Sequence, residues 1–328
     1  MRKSLVAFIL ITIVVLGLAV QHVWILLSLL ITDYSQYAIS RADLPAPKSN
    51  AINDRPQLIP KIIHQTYVND SIPAHWKGPQ KSCIDLHPDY EYKLWTDKKA
   101  REFIAAEYPW FLENFDGYPY PIQRADSIRY FVLHHFGGIY IDLDDGCNRS
   151  LDPLLAYPAW LRLTTPTGIS NDAMGAIPRH PFFLKTIDSL PKYNRRWILP
   201  YITVMGTTGP LYLSIIWRHY MNGNPGRDDT VRILFPDEYN NHSWSFFTHH
   251  LGNSWHSSDV KLIFWMGQHW LLLTFLGFAI GFSLLFCIYS FCVRRRQADT
   301  KGRFSYSRIP FYRRISQKDI ELDDRHEV

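Results

Sequence analysis

The sequence predicts an α/β fold: a single globular domain with one transmembrane helix at each end. Three observations lead there. Short strand-like runs alternate with helical ones between residues 58 and 260. A long uncharged apolar run flanks that stretch on either side. Three carboxylates, Asp142, Asp144 and Asp145, close one of the strands, and in open α/β sheets ligands gather at the carboxyl ends of strands.

Taken in chain order, residues 1–4 carry Arg2 and Lys3, and the run from Leu5 to Ile31 has no charge, although Gln21 and His22 interrupt it. A hydrocarbon core of about 30 Å needs about 20 such residues. A cleaved signal peptide would have an apolar region of only about 7–15. An uncleaved signal anchor is therefore expected over 5–31. Residues 32–57, with "DLPAPKSNAINDRPQ", have no periodicity and read as a linker.

The globular part, 58–260, is long enough for one domain with its own core. "PKIIHQTY" is a strand begun by Pro60, and "YEYKLWTD" is a second, alternating one. Thr96 or Asp97 opens a helix towards Tyr108. The next helix, "PIQRADSIRYFVLHHFGG", has Pro121 in its first turn. Ile122, Ala125, Ile128, Val132, Leu133 and Phe136 form its apolar face, and Gly137 ends it. "IYIDL", "WLRLTT", "GISNDAMGAI" and "TVRILFP" read as strands, with helices from His180 and from Pro210.

Residues 261–269 lead to the membrane interface, and Trp270 to Val293 is the second span. Trp265 and Trp270 suit an aromatic belt, and Arg294 to Arg296 stop the apolar run ahead of a basic tail, 294–328. Basic residues outside both spans put both termini in the cytosol and the domain in the secretory lumen. Two spans are too few for a transporter. The chain has 328 residues, 47% hydrophobic and 15% aromatic, with a formal charge of +5. Much of the basic excess lies in the tail rather than along a motif that reads bases, so nucleic acid is not an expected partner. Asn69, Asn148 and Asn241 open glycosylation sequons, and Cys83 and Cys147 are both lumenal and able to pair.

Side chains alternate along a strand, which predicts Asp142 and Asp144 on one face and Asp145, part of a turn, on the other. Two carboxylates on one face repel unless a cation lies between them, and a hard divalent ion takes carboxylate and phosphate oxygens together. The alternative is a polar turn of ordinary Asp-Asp-Gly chemistry. Asp126 and Arg129 are three apart on the preceding helix, either a plain ion pair or groups that hold ribose and phosphate. Downstream, "THHLGNSWH" offers His249, His250 and His256, and a histidine among carboxylates suits Mn²⁺. His250 is the first choice and His249 the second.

The order of "PKIIHQTY", "RADSIRYFVLHHFGGIYIDLDDGC", "SNDAMGAIPRHPFF", "GTTGP" and "HHLGNSWH" resembles family 32 glycosyltransferases, and most of all the fungal inositol phosphorylceramide mannosyltransferases. The central block also resembles the core of large clostridial glucosylating toxins. The resemblance implies a GT-A domain that binds a nucleotide sugar and a metal at the end of its central sheet. It implies Asp142 and Asp144 as the DxD pair, with Arg129 catalytic. It gives Asp126, Arg129, Asp142, Asn171, Asp172, Thr208 and Gly209 to the donor, and Asp142, Asp144 and His250 (or His249) to Mn²⁺ or Mg²⁺. The implied reaction moves mannose from GDP-mannose to inositol phosphorylceramide with retention, by front-face attack or double displacement. A Golgi membrane location, extending to the endoplasmic reticulum, and a regulatory membrane subunit are implied as well. The rival readings are a Golgi mannosyltransferase acting on protein-linked glycans and a non-catalytic membrane subunit.

Overall fold

The computed structural model describes residues 2–46, 55–164, 168–236, 242, 244–250 and 259–306. The sequon at Asn241, the histidine at 256 and the tail beyond 306 lie outside them. The chain divides into two units, Met1–Val260 and Lys261–Val328.

The first unit opens with α1 (Arg2–Ile31), and β1 (Ile62–Tyr67), α2 (Ala74–Leu86) and β2 (Glu91–Thr96) follow. Then come α3 (Asp97–Glu107), α4 (Leu112–Gly117), α5 (Pro121–Phe136), β3 (Gly138–Ile141) and β4 (Asp145–Cys147). β5 (Ala159–Leu163) and β6 (Ile169–Ala176) precede α6 (Pro181–Tyr193), α7 (Pro200–Thr207) and α8 (Pro210–Met221). β7 (Val231–Leu234), β8 (Phe247–His249) and the start of α9 (Asp259–Gln268) close the unit.

Six strands form one mixed sheet in the order β2-β1-β3-β6-β5-β7. β1 is parallel to both β2 and β3, β5 is parallel to β7, and β6 runs against its neighbours β3 and β5. The beginning of β6 therefore lies at the same edge as the carboxyl end of β3. Alternation along the strands builds a core on each face. Tyr140, Ala159 and Leu161 pack with Phe131 and Val132 of α5, Phe182 of α6 and Trp217 of α8. Ile139, Ile141 and Trp160 pack on the other side with Cys83, Cys147, Phe246 and Phe247. Cys83 and Cys147 form a disulfide that ties α2 to β4, a bond that belongs to oxidising compartments.

The reversal from α5 into β3 needs two glycines with positive φ, Gly137 at 66° and Gly138 at 91°. A Cβ on Gly137 would stand 2.7 Å from Pro178, and one on Gly138 2.7 Å from the Ile62 carbonyl. No other residue type fits so tight a return.

Three sequence expectations change. The run 5–31 is not one straight span: α1 bends by 65° between Phe8–Gln21 and Val23–Ile31, and qualifies as membrane-crossing only as a broken pair. The break falls at the polar Gln21-His22 step. At the near end of the linker, Tyr34 stacks on Trp217 with ring centroids 5.3 Å apart, and the Ile39 N–H donates to the Ile233 carbonyl. Aromatic burial binds this stretch to the domain without any periodicity to announce it. α2 was not expected at all, because Gly78 and Pro79 lie within it.

In the second unit, α10 (Trp270–Tyr306) contains one stretch long and apolar enough to cross a membrane, Trp270–Arg295. The arginines end the apolar surface but not the helix, since Arg, Gln, Ala and Lys all sustain helix.

Two buried histidines make the domain acid-sensitive. The His64 Nε2–H donates to the Gly137 carbonyl and its Nδ1 accepts from the Trp95 indole, so the ring is neutral and has no room for a second proton. Burial pushes both His64 and His180 down from 6.5 to about 4. A folded pKa below the unfolded one means that this stability is complete above pH 6.5 and is lost as pH falls towards 4. The expected loss is about 1.4 kcal/mol per pH unit for each histidine. Urea unfolding of the wild type beside His64→Gln across that interval checks it, because other titrating groups are common to both, and an identical pH slope in the two proteins would contradict it.

Candidate active site

The site is assembled where β3 ends and β6 begins. Arg129 projects from α5 and is almost fully buried. Its Nη2 lies 3.0 Å from Asp126, while its Nη1 lies 3.2 Å from Asp142 and donates to the Asn171 carbonyl at 2.7 Å. The Nε–H donates to the Ala125 carbonyl, and the guanidinium lies over the Tyr140 ring, 4.8 Å from its centroid. Every edge of this cation is held, so it works in place.

Asp126 is buried as well. It accepts from the Asn171 amide at 3.1 Å and from the Thr208 hydroxyl at 3.0 Å. Tyr130 donates to the Thr208 carbonyl at 2.6 Å and fixes that turn. A Cβ on Gly209 would come to 3.5 Å from an Asp126 oxygen. Burial raises Asp126 to about 6, against the pull of Arg129.

Asn171 and Asp172 reach the site through an irregularity. β5 pairs Leu161 with Met174 but Arg162 with Ser170, so the segment 171–173 leaves that ladder while Ala173 still pairs with Ile141 of β3. A displaced segment of this kind re-aims side chains. Asn171 turns to Asp126, and Asp172 turns to Arg162, 2.5 Å away.

The carboxylate cluster departs from the expected strand. β3 stops at Ile141, and the Asp145 N–H donates to the Asp142 carbonyl at 3.1 Å, closing a four-residue turn. Alternation therefore does not carry across the turn. Asp142 faces Arg129 and accepts from the Tyr140 hydroxyl at 2.6 Å. Thr66 lies 2.8 Å behind that hydroxyl.

Asp145 is not a solvated turn residue, and that expectation is corrected. It is fully buried, 3.3 Å from Arg162 and 2.8 Å from His249 Nδ1. The small β4–β8 ladder sets His249 opposite Asp145. Gly146 permits it, since a Cβ there would lie 2.7 Å from the Thr248 hydroxyl. Ligand atoms of Asp144, Asp145 and His249 all lie within 4.8 Å of one another. The first-choice histidine, His250, is exposed and stands 3.5 Å from Thr248, while its backbone N–H donates to the Asp144 carbonyl. His249, the second choice, is the one in the group.

The charge balance favours a cation. Asp126, Asp142, Asp145 and Asp172 contact Arg129 or Arg162. The Asp144 carboxylate has no hydrogen-bond partner among the described residues; only its backbone carbonyl accepts one, from His250. Burial, with Asp142 and Asp145 nearby, pushes Asp144 up to about 7. Burial raises Asp145 to about 6 against Arg162, and the bond to Asp145 raises His249. A carboxylate so crowded by like charge, with oxygen and imidazole donors at hand, fits a hard or borderline divalent ion.

Tyr140, Thr66, Tyr130 and Arg162 belong to the site but did not figure in the sequence reading. The available signal for Arg162 was a charge in the middle of an apolar strand. The sequons at Asn69 and Asn148 are exposed.

The family described as "Glycosyltransferase sugar-binding region containing DXD motif" matches residues 73–160. The mannosyl phosphorylinositol ceramide synthase SUR1 of Saccharomyces cerevisiae is 52% identical over 89% of this chain and 75% of its own length. The inositol phosphoceramide mannosyltransferase 3 of Schizosaccharomyces pombe is 51% identical over 72% of this chain and 67% of its own. Among solved structures, the PaToxG glycosyltransferase aligns at 18% identity over 50% of this chain and 71% of that one, with a TM-score of 0.39.

Arg162 is 1% exposed, so its removal strands two carboxylates. Arg162→Leu is expected to lower the unfolding free energy by about 3–5 kcal/mol, the scale of a broken buried ion pair. Adding Asp145→Asn should recover part of that. Thermal or urea unfolding reads both, and a loss under about 1 kcal/mol, as for a surface pair, would contradict the buried network.

Proposed function

We propose a reaction from one premise: the chain belongs to the family of the yeast mannosyl phosphorylinositol ceramide synthases. It is a glycosyltransferase, and the reaction is transfer of mannose from GDP-mannose to the inositol of inositol phosphorylceramide. The observation that carries the reading is the cluster at the end of β3, where the Asp144 carboxylate stands among like charges without a hydrogen-bond partner among the described residues.

In this reading Asp144 and His249, with Asp142 or Asp145, hold Mn²⁺ or Mg²⁺. Bound there, the ion offsets charge that develops on the diphosphate leaving group. Arg129 holds Asp142 and Asp126 at fixed spacing, so the carboxylates need no rearrangement when the donor arrives. Asp126, oriented by Asn171 and Thr208, accepts hydrogen bonds from donor hydroxyls. Gly209 keeps the backbone close on that side. Asp172, anchored by Arg162, bounds the floor of the cleft.

A GT-A arrangement is supported by the mixed sheet with its acidic cluster at the end of β3. The disulfide and the apolar stretch of α10 support a membrane protein whose domain faces an oxidising lumen, with the basic end of α10 in the cytosol. We place it in the Golgi membrane, working with a regulatory membrane subunit.

The test is product formation by the purified full chain from GDP-mannose, with inositol phosphorylceramide and an N-glycan offered as separate acceptors. Mannosylated lipid is expected, and Asp144→Ala should lower its rate by at least about 100-fold at unchanged protein level. Transfer to the glycan alone would overturn the acceptor. Undiminished lipid product with Asp144→Ala would overturn the site.

A further inference from the structure

The turn that opens α7 reads Arg195-Arg196-Trp197-Ile198-Leu199. Ile198 is 99% exposed and Trp197 53%, and Ile202 is also exposed. Arg195 and Arg196 are exposed and in no ion pair among the described residues. Single exposed apolar residues need no explanation, but a tryptophan and an isoleucine at one tip beside two free guanidiniums form a patch of particular chemistry.

The tip is built. The Thr203 hydroxyl accepts from the Trp197 N–H at 3.0 Å and lies 3.1 Å from the Leu199 carbonyl. The Trp197 indole nitrogen lies 3.8 Å from where a Cβ on Gly206 would stand. A closed turn therefore displays Ile198 to its surroundings.

Its place in the chain says what the surroundings are. The Tyr201 N–H donates to Asp259 Oδ2 at 2.8 Å. Asp259 begins α9, and the chain runs from there into the apolar stretch at Trp270. The start of α7, next to the turn, is thus bonded to a residue only eleven positions ahead of the apolar stretch. Tryptophan favours the interface between headgroups and acyl chains, and arginine there reaches lipid phosphates while its stem stays apolar.

We propose that the turn at 195–199 is a membrane-contact loop, with Trp197 and Ile198 entering the headgroup region of the leaflet that faces the domain and Arg195 and Arg196 meeting the phosphates of anionic lipid. The same helix joins this contact to the site. α7 has eight residues, about 12 Å of helix, and its C-cap is Thr208, the residue bonded to Asp126. A lipid whose phosphate lies at the arginines presents its headgroup towards the carboxylates. That last use rests on the reaction proposed above, whereas the bilayer contact does not.

The experiment uses the full chain in nanodiscs, with Cys287→Ser and Cys292→Ser as background. A polarity-sensitive dye is attached through Ile198→Cys or, as a control, through Lys98→Cys on α3, whose side chain is 85% exposed. Discs of phosphatidylcholine, with or without phosphatidylinositol, carry a spin-labelled lipid as quencher. The dye at 198 should shift to the blue and be quenched, the dye at 98 should not, and Arg195→Gln with Arg196→Gln should weaken quenching more in the anionic discs. A water-like, unquenched dye at 198 in both discs would overturn the proposal, which includes the case of a tip that serves a protein subunit instead. Separately, Ile198→Ser should raise the KM for the lipid acceptor about tenfold, the scale of one large apolar side chain, with the KM for the donor unchanged. Quenching with an unchanged lipid KM would keep the membrane contact and remove its role in presenting the acceptor.

Discussion

The structure depends on one buried cation. Arg129 has no way to shed its charge, so every group around it must answer to it. Asp126 and Asp142 come from different elements, a helix and the end of a strand, and the guanidinium holds both at about 3 Å. The Asn171 carbonyl, on the displaced part of β6, completes the set. Three elements are thus pinned at one point. Such burial is a poor route to stability, because desolvation consumes much of the Coulomb gain. Its value is geometric: the acceptors are held at fixed positions, as the proposed donor site requires. The second buried guanidinium, Arg162, repeats the device for Asp145 and Asp172. Neither guanidinium pairs with Asp144 among the described residues, and the proposed reading gives that carboxylate to a cation.

The main helix and most strands could be read from the sequence because their signals are local. Pro121, the apolar positions of α5 and the glycine pair after it mark that element without any tertiary information, and Thr96 caps α3 as its residue type suggests. Charged residues inside apolar stretches pointed to the site. What escaped depends on contacts distant in sequence. β4 and β8 are three residues each and exist only because they pair across about a hundred positions of chain. The inward turn of Asp145 follows from that pairing, and so does the position of His249, rather than His250, beside it. The displacement of 171–173 has no signature of its own, since β6 reads as one apolar run interrupted by three polar residues, Ser170 to Asp172.

The membrane account also changes shape. Two straight anchors were expected, whereas α1 is broken and its final turns, Ser28 and Leu29, are buried. Residues 34 to 39 continue that attachment along β7. The case for a membrane protein therefore rests on the apolar stretch of α10 more than on an anchor at the amino end.

The claim on which the rest stands is that the carboxylates gathered by Arg129 and Arg162 hold a divalent ion together with a nucleoside diphosphate. Electron paramagnetic resonance of Mn²⁺ with the full-length protein tests it most directly, titrated with and without GDP. The account predicts one tightly held ion whose signal changes on addition of GDP, and its loss in Asp144→Asn with the fold intact. Equal Mn²⁺ binding in wild type and Asp144→Asn, or a signal indifferent to GDP, would contradict it.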